Sequence, residues 1–301
     1  MEVIIGDNVS IDENTVVAIG NFDGIHLGHQ SLINEMLKIS SEKNLKSVVC
    51  TFNKHTANII KTRELPKSIM NNEQRIKCFE SMNVDYLYLI EFDENIMRLS
   101  PEDFIKKIIL DKLNAKAVVV GFNFRFGFKA KGDVEYLKTL GEKLGIEVLI
   151  IPPVYDNGKV ISSSLIRCLI EKGKMKRANK LLGKPFSIIG KVTNGESRGR
   201  IMGFPTANIK PSVSYVIPKS GVYKTSTVID NKTYSSITNI GYKPTFKGTG
   251  ITIETHIFHF DKYIYDKTIE IRFLDFIRPE KKFNSQDDLI KQIENDIKMI
   301  K

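Results

Sequence analysis

The sequence contains no tryptophan, few cysteines and no long hydrophobic run. Its three cysteines, Cys50, Cys78 and Cys168, lie far apart and outside any CxxC arrangement, which excludes a disulfide framework and a zinc ribbon. No apolar stretch approaches the length that a bilayer requires, and residues 1–13 lack the pattern of a signal peptide. We therefore expect reduced thiols in a cytoplasmic protein that has no membrane partner.

Blocks of like charge are also missing, although the net charge is +10. Residues 1–183 carry 26 Lys and Arg against 23 Asp and Glu, and residues 184–301 carry 19 against 12. A nucleic-acid-binding protein usually concentrates its positive charge on an arm or a stripe. The excess charge fits small phosphorylated ligands at least as well, or simply a basic surface, so charge alone does not decide the partner. Because the sequence also has no helix-turn-helix pattern, basic arm or RNA-binding aromatic motif, we expect no nucleic-acid partner. The sequence does not indicate an oligomeric state.

The first part of the chain alternates short apolar runs with helical patterns, and its 301 residues favour two domains. The runs are "TVVAIG" (15–20), "KSVVCTF" (46–52), "VDYLYLI" (84–90), "AKAVVVG" (115–121) and "IEVLIIP" (146–152). Nearly continuous apolar strands separated by helices, such as those expected at 101–113 and 133–145, indicate a parallel sheet covered on both faces. We predict an α/β domain over residues 1–183, with its ligand site beyond the carboxyl ends of the strands.

After residue 183 the sequence becomes alternating and rich in threonine and turn residues. Asp230-Asn231 separates two strand-like runs and predicts a tight hairpin. Only residues 285–300 show clear helical spacing, with Ser285 as a plausible N-cap. We predict a mainly antiparallel β-barrel with a C-terminal helix over residues 184–301.

The stretch "IGNFDGIHLGHQ" (19–30) lies where the first strand passes into a helix. Glycines let the backbone approach a ligand, and a helix N-terminus offers free N–H groups to phosphate. His26 and His29 are three residues apart and share a helix face, where imidazoles can donate to a phosphate gaining charge. Two alternatives are a zinc site, which two histidines alone make poorly, and a glycine-rich turn with incidental histidines.

This motif resembles the phosphate-binding element of nucleotidyltransferases with an HxGH sequence. Together with the motifs that follow, the chain is similar to the bifunctional bacterial riboflavin kinase/FAD synthetases over almost its whole length. Those motifs are "VVVGFNFRFGFKAKGD" (118–133), "ISSSLIRCLIEKG" (161–173), "GESRGRIMGFPTANI" (195–209), "NIGYKPTF" (239–246), "IETHIF" (253–258) and "FIRPEKKF" (276–283). The resemblance implies a Rossmann-like FMN adenylyltransferase domain followed by a riboflavin kinase barrel. It also implies ATP as co-substrate, Mg²⁺ at both sites, and riboflavin, FMN and FAD as substrates and products.

The resemblance further implies residue roles in the first domain. The "GNFD" residues would line the ATP pocket, while His26 and His29 would contact the triphosphate. Asn123 would help to hold the nucleotide, and Ser164 and Arg167 would bind phosphates at the start of a helix. Taken alone, "SSSLIR" favours a serine N-cap with a solvated arginine, whereas the ordered set of motifs favours the phosphate-binding role. The four pocket residues are Gly20, Asn21, Phe22 and Asp23.

In the second domain the resemblance makes Glu254 the base for the riboflavin 5′-hydroxyl. Thr206 and Asn208 are two apart, and their hard oxygen atoms suit Mg²⁺. The alternatives are a proline-containing turn with solvated polar residues and a Glu that is merely solvated on its strand. The loops around nucleotide and flavin would include Gly199, Arg200, Gly203, Phe204, Pro205 and Arg278.

Four positions depart from the family pattern. The usual Pro-His-Pro run has Lys54 and Thr56 around His55, Asn123 replaces a common Asp, and His259 replaces an Asp. They bear on the flavin contacts rather than on the residues assigned to chemistry. Two other functions compete: an enzyme with one active domain and one flavin-binding domain, and a flavin-responsive regulator of nucleic acid.

Overall fold

The computed structural model describes residues 1–6, 10–53, 67–194, 203–245 and 248–299. The chain divides into two compact units. Unit 1 comprises Met1–Pro66 and Asn72–Ser162, and unit 2 comprises Lys67–Asn71 and Ser163–Lys301. Within the described ranges, no helix is long and apolar enough to cross a bilayer.

Unit 1 is built on a six-stranded parallel sheet with the order β1-β4-β3-β2-β5-β6. Valine and isoleucine dominate the central strands, and every residue of β2 is buried, as expected for a sheet covered on both faces. The predicted parallel sheet is confirmed. Its strands are β1 (Glu2–Ile5), β2 (Thr15–Ile19), β3 (Lys46–Phe52), β4 (Tyr86–Ile90), β5 (Ala115–Gly121) and β6 (Glu147–Ile151).

The helices of unit 1 follow local capping signals. The helix predicted at 101–113 begins at a Ser100 N-cap, runs as an α-helix over Pro101–Phe104 and continues as a π-helix over Ile105–Lys112. The helix predicted at 133–145 begins at the Asp133 cap and ends at Gly145, which has φ +70°. The α-helices are α1 (Leu27–Lys43), α2 (Asn72–Ser81), α3 (Glu94–Arg98), α4 (Pro101–Phe104) and α5 (Val134–Leu144), and a small hairpin joins β7 (Tyr155–Asp156) to β8 (Lys159–Val160).

The strand order places a switch point between β2 and β5. After β2 the chain adds β3 and β4 on one side, and after β5 it adds β6 on the other. β2 and β5 are neighbours, with Ile19 paired to Val120 near their carboxyl ends. Open α/β sheets bind ligands in the crevice at such a point. The histidine motif follows β2, so the fold puts it at that crevice.

Unit 2 contains a closed six-stranded antiparallel barrel, which confirms the predicted fold class. Asp230 and Asn231 both have positive φ in the two-residue turn between β11 and β12, as the hairpin prediction requires. Ser285 caps the C-terminal helix as predicted. The elements are β9 (Phe186–Thr193), β10 (Ala207–Pro211), β11 (Gly221–Ile229), β12 (Lys232–Thr245), β13 (Gly248–Ile257), β14 (Thr268–Arg278) and α8 (Gln286–Lys298).

The many threonines in the barrel strands have a structural role. Five buried hydroxyls form a chain of hydrogen bonds of 2.8–2.9 Å across β11, β12 and β13. Because each oxygen has a partner, the polar chain can replace apolar packing and tie the register of three strands. The residues are Thr227, Ser236, Thr225, Thr238 and Thr255, in the order of the chain of contacts.

Two helices and a short segment also belong to unit 2. They are α6 (Ser163–Glu171), α7 (Met175–Leu182) and residues Lys67–Asn71. The Asn179 amide of α7 donates to the Phe273 carbonyl at 2.8 Å and accepts from the Phe186 N–H at 2.8 Å, which fastens α7 to the barrel. The compact units thus divide at Ser162/Ser163, while the domain boundary predicted at residue 183 stays a prediction.

Candidate active sites

The turn after β2 is held in an unusual backbone conformation. Phe22 and Ile25 have φ of +46° and +44°, a region that non-glycine residues rarely occupy, and Gly24 has φ +90°. The Phe22 side chain is completely buried and packs edge-on against Phe79 of α2 and against His29. Packing therefore holds the turn in place, as is typical of strained segments at functional sites.

His26 is the N-cap of α1. Its Nδ1 accepts the backbone N–H of His29 at 3.3 Å, so this nitrogen carries no proton and the neutral ring has its N–H on Nε2. The His26 and His29 rings are stacked with their centroids 3.7 Å apart. Among the described residues, His29 Nδ1 is the buried side-chain polar atom that lacks a hydrogen-bond partner. The structure brings the two predicted histidines together at a helix N-terminus.

Burial controls the protonation of both rings. It lowers the pKa of His26 to about 4, although a backbone hydrogen bond opposes the shift. Burial, reinforced by the neighbouring His26, lowers the pKa of His29 well below its usual value. Both imidazoles are therefore neutral near pH 7. Neutral N–H groups at this position can donate to a phosphate oxygen without a prior protonation step.

Sequence reasoning missed Arg75, which lies beneath this turn with only 8% of its surface exposed. The guanidinium donates to the Asn21 carbonyl and to Thr51 Oγ1, both at 3.2 Å. Arg75 and Phe79 are four apart and share the buried face of α2. A cation four residues before a phenylalanine, at helical spacing, is the signal that would have indicated it.

The remaining residues predicted for adenylyl transfer lie in different units. Asn123 is exposed in the turn after β5, at the carboxyl end of the strand next to β2. Ser164 and Arg167 lie on α6 in unit 2, where Arg167 Nε donates to the Lys67 carbonyl at 2.8 Å. Their phosphate-binding roles stay predictions. Lys54, His55 and Thr56 lie outside the described residues.

In unit 2, barrel register brings the predicted base next to a predicted metal ligand. Asn208 of β10 pairs directly with Glu254 of β13, and Asn239 of β12 pairs with Glu254 on its other side. Directly opposite residues project from the same face of a sheet, so the three polar side chains form a row. Thr206 immediately precedes β10. Asn239 is a candidate that the sequence reasoning did not single out.

The segment before Thr206 is tied to the strand of Glu254. His256 Nδ1 lies 2.8 Å from the Pro205 carbonyl oxygen, and the His256 ring packs edge-on against Phe204 with centroids 5.7 Å apart. Gly203 has φ +81° and is exposed. Gly199 and Arg200, which were predicted for the same loop, lie outside the described residues.

Arg278 makes an ion pair that the sequence did not predict. Its guanidinium forms a two-pronged contact with Asp296 of α8, with Nε 2.9 Å and Nη2 2.7 Å from Oδ2. Asp296 is 1% exposed and also accepts from Gln292 at 2.9 Å. Arg278 therefore anchors the C-terminal helix to the end of β14, and its predicted place in the ligand loop stays a prediction.

The oxygen atoms near Glu254 fit a hard cation better than a transition metal. Among the described residues, no group of three His, Cys, Asp or Glu side chains could hold a metal ion. The Thr206 hydroxyl and the Asn208 amide oxygen instead supply a few hard oxygen ligands, as Mg²⁺ prefers when substrate phosphates complete its shell. The residues present therefore fit Mg²⁺ bound with a nucleotide.

The cysteines take no part in these sites. None of the three forms a disulfide, and burial raises the pKa of Cys50 far above its usual value, so its thiol is inert. Cys50 lies inside β3, within the core of the sheet.

Two family models divide the chain in the same order as the two folds. The FAD synthetase model matches residues 8–165 and the riboflavin kinase model matches residues 182–301. A parallel sheet with an HxGH turn, followed by a barrel with a polar row around Glu254, thus defines a bifunctional nucleotide-dependent transferase. Whole-chain relatives narrow this class further.

Proteins named bifunctional riboflavin kinase/FMN adenylyltransferase are similar along nearly the whole chain. The relative from Buchnera aphidicola of Schizaphis graminum is 39% identical over 97% of this chain and 94% of its own. Those from Bacillus subtilis and Escherichia coli K12 are 37% and 31% identical, each over 94% of this chain and 90% and 91% of their own. The chain belongs to this family: it phosphorylates riboflavin to FMN and adenylylates FMN to FAD, with ATP as co-substrate.

A solved structure agrees with the fold over its full length. The crystal structure of a protein described as a macrolide-efflux protein from Streptococcus pneumoniae covers 100% of this chain and 99% of its own. The TM-score is 0.91 and the sequence identity is 34%. That description belongs to the other protein, whereas the family models and the curated relatives agree on flavin chemistry for this family.

Proposed function

We propose that the two reactions take place at two separate sites, one in each fold, and that FMN is the product of one and the substrate of the other. The observation that supports the kinase site most strongly is the direct cross-strand pairing of Asn208 with Glu254. The stacked, neutral His26 and His29 at the N-terminus of α1 support the adenylyltransferase site.

In the kinase reaction, Glu254 accepts the proton of the riboflavin 5′-hydroxyl. The hydroxyl oxygen forms a bond to the γ-phosphorus of ATP, the bond between that phosphorus and the bridging oxygen breaks, and ADP leaves with the electron pair. A carboxylate is suited to this proton transfer when it lies within hydrogen-bond reach of the hydroxyl. Thr206 and Asn208 would hold Mg²⁺, which would neutralise charge on the nucleotide phosphates.

In the adenylyl transfer, an FMN phosphate oxygen forms a bond to the α-phosphorus of ATP and pyrophosphate leaves. No covalent enzyme intermediate is needed, so the chain has only to align the reactants and stabilise negative charge. His26 donates from Nε2, because Nδ1 accepts the His29 N–H. His29 and Asn123 complete the nucleotide pocket of unit 1 together with the "GNFD" residues Gly20, Asn21, Phe22 and Asp23. The family resemblance also assigns phosphate binding to Ser164 and Arg167 of α6.

The metal assignment predicts a specific change in magnesium dependence. Thr206→Val and Asn208→Leu each remove one oxygen ligand, so the Mg²⁺ concentration that half-saturates FMN formation should rise at least about tenfold, since even outer-shell partners of metals contribute roughly 10–100-fold. The measurement is riboflavin phosphorylation at fixed ATP across a Mg²⁺ titration. Thr233→Val, at an exposed position of β12, is the matched control. Unchanged half-saturation in both variants would refute the assignment.

We also propose that the protein works in the cytoplasm on small molecules, with no nucleic-acid partner. Three cysteines that form no disulfide in a chain of this length suit a reducing compartment. The dispersed positive charge suits phosphorylated metabolites better than a polyanion. A gel-shift assay that detects tight, salt-sensitive binding to RNA or DNA would contradict this proposal.

A further inference from the structure

Arg75 is a buried cation that connects three elements of unit 1. It lies one turn into α2, and its Nη2 donates to the Phe52 carbonyl at 2.8 Å and to Asn72 Oδ1 at 2.5 Å. Its Nη1 contacts Asn21 O at the end of β2 and Thr51 Oγ1 at the end of β3. One guanidinium therefore joins the carboxyl ends of the two strands to the start of a helix.

Burying the Arg75 guanidinium costs free energy, so its place in this site calls for an explanation. A buried guanidinium stays protonated, and the acceptors of its four hydrogen bonds are neutral oxygens. Burial lowers the pKa of Arg75, while the nearby Asp23 opposes that shift. Removing a cation from water without a directly bonded carboxylate is energetically unfavourable, since neutral oxygens replace its hydration only in part.

The oxygen atoms that accept from Arg75 include the Asn21 carbonyl, which lies at the start of the turn that leads to His26. Asn21 immediately precedes Phe22, whose positive φ sets the course of the turn towards His26. Phe79, four residues after Arg75, packs against the Phe22 ring. The carbonyl of Asn21 also accepts from Thr51 Oγ1 at 3.3 Å. One face of α2 thus holds this turn in two ways. Arg75 fixes the main chain at Asn21, and Phe79 packs against the side chain of Phe22.

We propose that Arg75 is a positioning residue for adenylyl transfer: it locks the Asn21 carbonyl and the end of β3, and thereby sets the placement of the His26–His29 pair. This inference rests on the proposed assignment of that turn to the FMN adenylyltransferase site.

The test compares Arg75→Lys and Arg75→Met with Arg98→Met, an exposed arginine on α3 of the same unit. A displacement of about 1 Å in a catalytic group can reduce the rate by about 10²-fold, so Arg75→Met should lower FAD formation by about that factor, mainly in kcat. Arg75→Lys keeps the charge and some donors and should lose less. Riboflavin phosphorylation by the same molecules should stay at the wild-type rate, which shows that the chain is folded.

Chemical rescue separates positioning from mere stability. Guanidinium at millimolar concentration should restore part of the FAD formation in Arg75→Ala, but none in His26→Ala. Wild-type FAD formation in Arg75→Met, or loss of both reactions without rescue in the alanine variant, would overturn the proposal. If His26→Ala and His29→Ala are fully active while Arg75→Met is impaired and guanidinium rescues Arg75→Ala, the site assignment fails but the role of Arg75 in the reaction stands.

A second observation, independent of the first, concerns His256 in the barrel. A carbonyl oxygen can only accept, so the 2.8 Å contact with Pro205 O requires a proton on His256 Nδ1. His256 is two residues after Glu254 on β13, and alternate residues of a strand share a face. The ring therefore connects the strand of the proposed base to the main chain immediately before Thr206.

The geometry assigns to His256 the positioning of the Pro205–Asn208 segment beside Glu254. This role rests on the proposed metal function of Thr206 and Asn208. It differs from catalysis, because the ring nitrogen that makes the contact is occupied by a backbone oxygen. The proposed role therefore requires an N–H at His256 Nδ1 that donates to the Pro205 carbonyl. It does not require this nitrogen to gain or lose a proton.

Asparagine tests this requirement because its Nδ2 is the same number of bonds from the backbone as His Nδ1. His256→Ala should raise the half-saturating Mg²⁺ concentration for FMN formation about tenfold, and His256→Asn should restore most of the loss. His259→Asn, at an exposed position with φ +54°, is the control, since asparagine tolerates that conformation. FAD formation from supplied FMN should not change.

Equal impairment in His256→Ala and His256→Asn would overturn the positioning role, as would wild-type behaviour of the alanine variant. If Thr206→Val and Asn208→Leu leave the Mg²⁺ dependence unchanged, the metal assignment is wrong. In that case, reduced kcat for FMN formation in His256→Ala together with an active His256→Asn would still support His256 as the anchor of the Pro205–Asn208 segment.

Discussion

Replacing Glu254 with Gln should reduce riboflavin phosphorylation by about 10²–10⁴-fold, the range typical of losing a general base. Glutamine keeps the shape and one acceptor oxygen but cannot take up a proton at neutral pH. Its neighbours Asn208 and Asn239 remain in register, so riboflavin and nucleotide binding should change little. The measurement is single-turnover conversion of riboflavin to FMN, followed by separation of the flavins.

The same variant tests whether the two sites are independent. Supplied FMN should still become FAD at nearly the wild-type rate, because the turn after β2 is unaltered, and supplied riboflavin should accumulate. Glu294→Gln, at an exposed position of α8, controls for the loss of one negative charge. Normal phosphorylation by Glu254→Gln would make Glu254 a bystander, and loss of both reactions in a folded variant would contradict two separate sites.

Local patterns in the sequence predicted those parts of the fold that depend on neighbours along the chain. Buried Val and Ile runs marked β2 and β5, the Asp230-Asn231 pair marked a hairpin, and Ser285 marked a helix start. Each signal acts within a few residues, through burial, turn conformation or capping. The two fold classes followed from such signals together with the order of the elements.

Features that depend on contacts between residues far apart in the chain could not be predicted from local sequence patterns. The register that places Asn208 opposite Glu254 follows from barrel closure, in which a one-residue shift would turn either side chain to the other face. The ion pair of Arg278 with Asp296 joins a strand to a helix, and its charges alone look like solvated surface residues. Arg75 was missed for the same reason, because three of its four oxygen partners belong to residues outside its own helix, and two of these are backbone carbonyls.

The histidine pair carries the largest effect expected for the other reaction. His26→Ala and His29→Ala should each lower FAD formation by about 10²–10³-fold, as is typical when one charge-stabilising donor is lost. Riboflavin phosphorylation should persist because its residues lie in the barrel. His26→Asn is the sharper variant, since asparagine can still cap α1 but lacks the Nε2 donor.

The low pKa of His26 adds a stability readout that distinguishes capping from catalysis. Its folded value is about 4 against a usual value near 6.5, so the unfolded chain binds more protons between these values. The free energy of unfolding should therefore fall as the pH drops from about 6.5 towards 4, and His26→Asn should weaken this acid sensitivity. We expect His26→Asn to keep near wild-type stability at pH 7 while losing FAD formation. Full FAD synthesis in His26→Asn, His26→Ala and His29→Ala would show that adenylyl transfer does not use this turn.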